Sequence, residues 1–219
     1  MEPQTVLEKA YQLAGEKLKD EPTGHDWWHI HRVTRLAKLI AKKENADEFV
    51  CEMAALLHDL VDEKLVDDKK RETEKLAEWL ADNEVPGETI RHILDIIGTL
   101  SFQGGTGTKM STLEGRIVQD ADRIDAIGAI GIARTFVYAG ARGSLIYDPQ
   151  LEPRSEMTAE QYREGKSTAI NHFYEKLLKL KELMNTETGR QLAEERHEFM
   201  EQYLVRFYSE WNLGNGSGL

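Results

Sequence analysis

A helical spacing of apolar residues runs through nearly the whole chain and limits the fold more than any other feature. Apolar side chains recur at i, i+3 and i+4 from Val6 to Leu18 and again from about Trp28 to Lys43, which is the period of an amphipathic helix. The same spacing predicts more helices: Phe49 to about Val61, Lys69 to Ala81, Gly87 to Leu100, Leu113 to about Tyr138, and two or three within Thr158 to Trp211. The sequence therefore predicts an all-α fold.

Segments rich in glycine and proline separate the predicted helices. Ser101 to Ser111 and Gly140 to Met157 have the composition of long loops, and loops of that length in compact domains are often functional. Within the last helical stretch, breaks are predicted near Asn185-Thr186 and near Gly189.

Size, charge and composition restrict the class of protein. The 219 residues suit one domain, so we expect a single helical domain over residues 1–213 and a disordered tail over 214–219. The net charge of −11 argues against a general nucleic-acid binder, which normally carries a basic surface. No run approaches the roughly 18 apolar residues of a membrane span, and the single cysteine cannot form an internal disulfide. We therefore expect a cytoplasmic protein, either a monomer or a homodimer.

Histidines and aspartates gather at three places in the sequence. They are His25, His29 and His31, then His58 and Asp59, and finally Asp120, Asp122 and Asp125. Imidazole and carboxylate groups are ligands for divalent metals such as Mn, Fe, Co, Ni and Zn. A buried charge is costly unless it is paired or bound to a metal, and His58 and Asp59 end an apolar run. The alternative for His58 and Asp59 is a helix that ends at the surface. The alternative for the last group of aspartates is a solvated helix face on which Arg123 pairs with one of them.

Three segments, in order, resemble the signature of the HD-domain metal-dependent phosphohydrolases. They are His29-Ile-His-Arg-Val33, Leu56-Leu-His-Asp-Leu60 and Gln119-Asp-Ala-Asp-Arg-Ile-Asp125. The chain is similar in particular to the small bacterial single-domain branch, some of whose members are similar to nucleotide pyrophosphohydrolases. The resemblance covers roughly residues 20–211 and implies a helical bundle of the HD type.

The resemblance also implies a set of metal ligands: His29, His58, Asp59 and Asp122. His29 is the first ligand because it stands three residues before Arg32, as the family pattern requires. We expect the ion to be Mn²⁺, with Fe, Co, Ni, Zn and Mg as alternatives. His25 and His31 match no ligand position. His92 lies on a helix that supplies a further histidine in relatives with two metals, and we interpret it here as a surface residue.

Charged residues close to these ligands are candidates for catalysis and substrate binding. Asp62 and Glu63 stand where the related guanosine-polyphosphate hydrolases carry an acidic pair in the opposite order, so we expect Asp62 to orient the attacking water or act as general base. The cations that could meet phosphate oxygens are Lys64, Arg32, Lys109 and Arg123. The alternative for Asp62 and Glu63 is that they only form the charged end of a helix. The alternative for the basic residues is that they are ordinary surface charges.

Taken together, the residues and the resemblance predict a metal-dependent phosphohydrolase of small phosphorylated metabolites. The expected substrates are nucleotides, with a nucleoside triphosphate converted to a monophosphate and pyrophosphate by a metal-activated water. The alternatives are a phosphomonoesterase acting on nucleoside monophosphates, a nucleotide- or metal-binding regulator without turnover, and a helical scaffold whose histidines and aspartates are structural.

Overall fold

The computed structural model describes residues 2–19, 25–62, 66, 68–100, 110–154 and 165–213. Every regular element in these ranges is helical, so the all-α prediction is confirmed. The α-helices are α1 (Pro3–Leu18), α2 (Trp27–Glu44), α3 (Glu48–Leu57), α4 (Lys69–Asp82), α5 (Gly87–Thr99), α6 (Leu113–Asp125), α7 (Gly128–Ala141), α8 (Ala169–Glu175) and α9 (Glu187–Trp211). The same described ranges contain three 3₁₀ turns: His58–Val61, Leu177–Lys179 and Lys181–Leu183.

The described residues form two compact units. Those up to Asp122, together with Gly165, form the first unit, and the remaining residues from Arg123 onward form the second. The residues 214–219, for which a disordered tail is predicted, lie outside the described part of the chain, as do residues 101–109 of the first predicted loop and 155–157 of the second.

Helix α3 is the centre of the first unit and packs against α1, α2 and α5. Its side chains are buried on every face from Val50 to Leu57, because the sequence there is apolar almost without interruption. The exception is Glu52, whose Oε1 accepts hydrogen bonds from the Tyr11 hydroxyl at 2.8 Å and from Lys38 Nζ at 2.9 Å. A buried carboxylate with two donors avoids the cost of an unpaired charge.

The predicted helix from Phe49 to Val61 is shorter in the structure. The α-helix ends at Leu57, and residues His58–Val61 form a tighter 3₁₀ turn. A short 3₁₀ segment is a common end for an α-helix. Apolar spacing cannot distinguish the two, because both leave Val61 on a buried face.

The helix predicted from Leu113 to about Tyr138 is interrupted, so this prediction was wrong. Helix α6 ends at Asp125 and α7 begins at Gly128, whose φ is +74°. A Cβ at Gly128 would lie 2.9 Å from Arg196 Cγ, and the Arg196 guanidinium donates to the Ile124 carbonyl oxygen at 2.5 Å. Only glycine satisfies both the left-handed backbone and this close approach.

In the described ranges, no single helix is long and apolar enough to cross a bilayer, whereas α6 and α7 pass that test of length and composition only when taken together as a bent pair.

Gly189 does not interrupt the last helix, contrary to the prediction. The α9 N-cap is Thr186, whose Oγ1 accepts from the Gly189 N–H at 2.9 Å, so the glycine belongs to the first turn. The predicted break near Asn185 is present and coincides with this cap.

A buried carboxylate ties two parts of the second unit together. Glu175 accepts hydrogen bonds from Arg154 Nε at 2.9 Å, Arg154 Nη2 at 2.8 Å and the Ser167 hydroxyl at 2.9 Å. Burial by itself raises the pKa of the Glu175 carboxyl, but these hydrogen bonds and the guanidinium charge hold the pKa below its usual range. Glu175 is therefore ionised inside the fold.

Candidate metal centre

The start of α2 fixes the position of His29. Asp26 is the N-cap, and its Oδ1 accepts from the His29 N–H at 2.8 Å, a cap that satisfies one of the free amides of the first helical turn. The His29 side chain is fully buried. It shares its side of the helix with Val33, whose apolar side chain is also buried.

The 3₁₀ turn after α3 presents His58 and Asp59. His58 Nδ1 lies 2.9 Å from the Ala55 carbonyl oxygen. A carbonyl oxygen can only accept, so Nδ1 carries the hydrogen and the neutral ring has its lone pair on Nε2. That Nε2 is buried and has no hydrogen-bond partner among the described residues. A buried ring nitrogen without a hydrogen-bond partner destabilises the fold unless it binds a ligand such as a metal ion.

Helix α6 presents Asp122 from a different part of the sequence. The neighbouring Val118 and Ala121 are buried, whereas the Asp122 side chain is about one third exposed and its Oδ1 lies 3.5 Å from His29 Nε2.

The structure brings the four predicted ligands together. His29 Nε2 lies 3.5 Å from both Asp59 Oδ2 and Asp122 Oδ1, and His58 Nε2 lies 3.2 Å from Asp59 Oδ1. The rings of His29 and His58 are 5.5 Å apart at an interplanar angle of 74°. The ligand atoms of His29, His58 and Asp122 all lie within 4.8 Å of one another, a separation compatible with one metal ion.

His25 joins this cluster although the sequence analysis gave it no role. Its Nδ1 lies 3.0 Å from Asp59 Oδ2, and its ring meets that of His29 edge to face at 5.5 Å. His25 lies four residues before His29, but it precedes the helix, so this spacing alone does not predict its place in the cluster. His31 instead packs against the rings of Trp27 and Trp28.

The electrostatics of the cluster favour a cation among these groups. Burial by itself lowers the pKa of His58, but the charges of Asp59 and Asp122 raise it above its ordinary value, with smaller effects from the Ala55 carbonyl and Asp62. Burial likewise raises the pKa of Asp59, yet His58 and the hydrogen bond from His25 hold it well below its usual range. Asp59 is thus a buried anion surrounded by imidazoles.

These residues fit a divalent metal ion by an observation independent of the family. Two imidazoles and two carboxylates form a mixed nitrogen and oxygen donor set of the kind that transition metals prefer. In addition, the Ala55 carbonyl fixes the tautomer of His58, which is the usual arrangement behind a ligating histidine.

Two predicted catalytic or substrate-binding residues lie on the same elements as the ligands. Asp62 ends the 3₁₀ turn, is half-buried, and its N–H donates to the Asp59 carbonyl oxygen at 3.2 Å. Arg32 is half-buried on α2, three residues after His29.

The other predicted contacts are less closely defined. The Arg123 guanidinium donates to the Leu183 carbonyl oxygen within the second unit, and a substrate contact by Arg123 stays a prediction. Glu63, Lys64 and Lys109 lie outside the described residues. His92 Nε2 lies 3.0 Å from Thr112 Oγ1 and 3.7 Å from Glu114 Oε2, so it has protein partners of its own.

Comparison with known proteins covers most of the chain. The HD domain family profile matches residues 27–127, a range that includes the four predicted ligands. YpgQ of Bacillus subtilis is 43% identical over 189 residues, which amount to 85% of this chain and 84% of YpgQ.

Solved structures give the same picture. A Lactobacillus plantarum protein is 43% identical with a TM-score of 0.85, covering 95% of this chain and 98% of its own. A Bacillus thuringiensis protein described as an HD-superfamily hydrolase is 43% identical with a TM-score of 0.77, covering 96% and 98%. The crystal structure of YpgQ in complex with ADP is 39% identical with a TM-score of 0.76, covering 93% and 97%.

The global fold is therefore shared with these proteins over nearly their full lengths. The chain belongs to the HD superfamily, in its small bacterial branch, and is a metal-dependent phosphohydrolase.

Proposed function

We propose that the protein hydrolyses nucleoside triphosphates to nucleoside monophosphates and pyrophosphate, with Mn²⁺ as the metal. The observation that carries the hydrolytic part is the convergence of His29, His58 and Asp122 within 4.8 Å, with Asp59 ionised beside them. These groups come from three elements far apart in the sequence, and the two imidazoles among them are buried.

The choice of a nucleotide rests on a relative. YpgQ, 39% identical in the aligned structure, has been crystallised with ADP. ADP has the nucleoside and phosphate groups that a nucleoside triphosphate also carries, so the same class of ligand is proposed here. The single buried cysteine, Cys51, suits a reducing compartment, and we propose the cytoplasm as the location, with the protein a monomer or homodimer.

We assign the ligand roles to His29, His58, Asp59 and Asp122. A divalent ion held by these side chains would lower the pKa of a bound water and neutralise phosphate charge. The chain's own contribution is to keep Asp59 ionised, to present the lone pair of His58 Nε2, and to exclude bulk water from His29.

Asp62 is the proposed residue that orients the attacking water or accepts its proton. It is half-buried at the end of the turn that carries His58 and Asp59, and its negative charge acts on the His58 ring. A carboxylate so close to the ligands, yet still partly open to solvent, can reach a water and later release the proton. Glu63 is the second candidate for this role.

The net charge of −11 opposes an anionic substrate, so local cations must attract the phosphates. Arg32 is the proposed cation on α2, and Lys64, Lys109 and Arg123 are further candidates from the sequence.

A nucleotide panel with Mn²⁺ tests the proposal. Wild type is compared with His58→Ala and with His31→Ala, a matched histidine outside the cluster, and the products are separated by chromatography. Monophosphate and pyrophosphate from wild type and His31→Ala, but not from His58→Ala, are the expected result.

Two other results would point to different functions. Release of inorganic phosphate would make the protein a γ-phosphate hydrolase or a phosphomonoesterase. Binding of nucleotide without any product over long incubation would favour a regulator, a role that the ADP complex of YpgQ also allows.

A further inference from the structure

Among the described residues, the shortest side-chain contact of Asp59 comes from His25, which lies outside the family motif. His25 Nδ1 lies 3.0 Å from Asp59 Oδ2, compared with 3.5 Å from His29 Nε2 to the same oxygen. The His25 side chain is 18% exposed and that of Asp59 only 2%, so the hydrogen bond is largely shielded from water.

The two oxygens of Asp59 face different neighbours. Oδ1 lies 3.2 Å from His58 Nε2, whereas Oδ2 faces His25 and His29. The final torsion of an aspartate side chain is broad and roughly two-fold, so the chain must supply a contact that fixes it. A directional hydrogen bond from His25 to Oδ2 does this while Oδ1 remains directed at His58.

The backbone holds His25 in the position that this contact requires. The next residue, Asp26, caps α2 through the His29 N–H, and the His25 ring packs edge to face on the His29 ring. The short segment from His25 to His29 thus places both imidazoles next to Asp59 Oδ2.

We propose that His25 is a positioning residue for the metal centre, whose Nδ1–H donates to Asp59 Oδ2 and fixes the orientation of that ligand carboxylate. The inference rests on the proposed function only in taking Asp59 as a metal ligand. His25 is not itself a ligand through Nδ1, because a nitrogen that carries the hydrogen of this bond has no lone pair to offer. Loss of such an outer partner typically weakens metal affinity about 10- to 100-fold.

The test measures Mn²⁺ affinity by chelator competition, without substrate. The variants are His25→Ala, His25→Asn, whose amide can place a donor near the Nδ1 position, and the control His31→Ala. We expect His25→Ala to bind Mn²⁺ about 10- to 100-fold more weakly, His31→Ala to match wild type, and His25→Asn to recover most of the affinity. Thermal unfolding of the metal-free proteins checks that each variant is folded.

The results separate this proposal from the proposed function. Equal Mn²⁺ affinity in His25→Ala and wild type overturns the positioning role alone. A second result would also overturn it. If His25→Asn binds Mn²⁺ as weakly as His25→Ala does, and one nitrogen coupling is lost from the Mn²⁺ electron-spin-echo spectrum, then His25 is a metal ligand. Failure of wild type to hydrolyse nucleotides, with the affinity differences intact, overturns only the substrate assignment. Failure of wild type to bind Mn²⁺ overturns both.

Discussion

The Nδ1–H of His58 donates a hydrogen bond to the carbonyl oxygen of Ala55 at 2.9 Å. The contact spans the junction between α3 and the 3₁₀ turn, and it directs Nε2 of the same ring toward Asp59, 3.2 Å away. The end of one buried helix therefore determines both the tautomer of His58 and its direction.

Replacement of Asp59 by alanine is expected to abolish metal binding and activity, because it removes the charged ligand that is most deeply buried in the cluster. The bound metal would be measured by elemental analysis of protein prepared in Mn²⁺. Asp82→Ala, an exposed aspartate at the end of α4, is the control. A near-normal metal content in Asp59→Ala would reject Asp59 as a ligand.

Replacement of Asp62 by asparagine is expected to leave the metal content unchanged and to lower kcat by about 10²- to 10⁴-fold, the range for loss of a general acid or base. Steady-state kinetics with the nucleotide identified in the panel would measure this, with elemental analysis on the same sample. Wild-type turnover in Asp62→Asn would remove the proposed role.

Removal of the metal is expected to destabilise the first unit. An ion present at about 100 times its Kd stabilises the folded state by about 2.7 kcal/mol, which corresponds to a Tm shift of about 5–10 °C for a chain of this size. Thermal unfolding before and after chelator treatment, and again after Mn²⁺ is restored, would measure the shift. The same treatment should not change the Tm of Asp59→Ala. An unchanged Tm in wild type would favour a purely structural role for these histidines and aspartates.

Replacement of Gly128 by alanine is expected to lower the unfolding free energy more than the same change at Gly143. Both residues have positive φ, +74° and +66°, so each substitution incurs roughly 1–2 kcal/mol of backbone strain. Only at Gly128 would the new Cβ meet Arg196 Cγ at 2.9 Å, whereas nothing lies within 4 Å at Gly143. Denaturant unfolding of the pair isolates the steric contribution, and equal losses would contradict it.

Replacement of Glu175 by glutamine is expected to lower the unfolding free energy at neutral pH by about 1.5–3 kcal/mol, because hydrogen bonds to a charged group are lost. Folding lowers the pKa of Glu175. Its contribution is therefore complete above the unfolded-state value, about 4.3, and is lost as the pH falls through the lower folded-state value.

Denaturant titrations of Glu175→Gln and wild type should therefore differ at pH 7 and converge as the pH falls through the lowered folded-state pKa of Glu175. Glu152→Gln, an exposed glutamate of the same unit, should match wild type within about 0.5 kcal/mol. If the difference in unfolding free energy between Glu175→Gln and wild type does not change with pH, the charge of the Glu175 carboxylate is not what stabilises its contacts with Arg154 and Ser167.

The sequence predicted well those elements whose signals are local. The apolar stripe of α2 gave the helix to within one residue at each end, because Asp26 caps its start and Asn45 ends it in a left-handed conformation. The break between α6 and α7 was missed because buried Ile124 and Ile127 continue the helical spacing across the turn. The residue that packs against the turn, Arg196, is distant in sequence.

In the candidate site, too, residues with local sequence signals were predicted, and a residue that depends on a distant partner was not. The resemblance to the family signature pointed to His29, His58, Asp59 and Asp122, which the structure brings together. His25 was not selected because its partner Asp59 lies 34 residues away, and no local pattern reveals such a hydrogen bond. His25 and His29 lie on either side of the Asp26 cap of α2.

The cap of α3 and the turn at its other end together constrain the length of the chain between them. Asp47 anchors the first turn through the Val50 N–H, and each residue added or removed beyond it would rotate everything that follows by about 100°. Such a change would swing His58 Nε2 away from His29 and press a polar ring into the apolar interior. We therefore expect evolution to have changed residues between Asp47 and Asp59 by substitution while leaving their number alone, and an alignment of related chains should show no gap there.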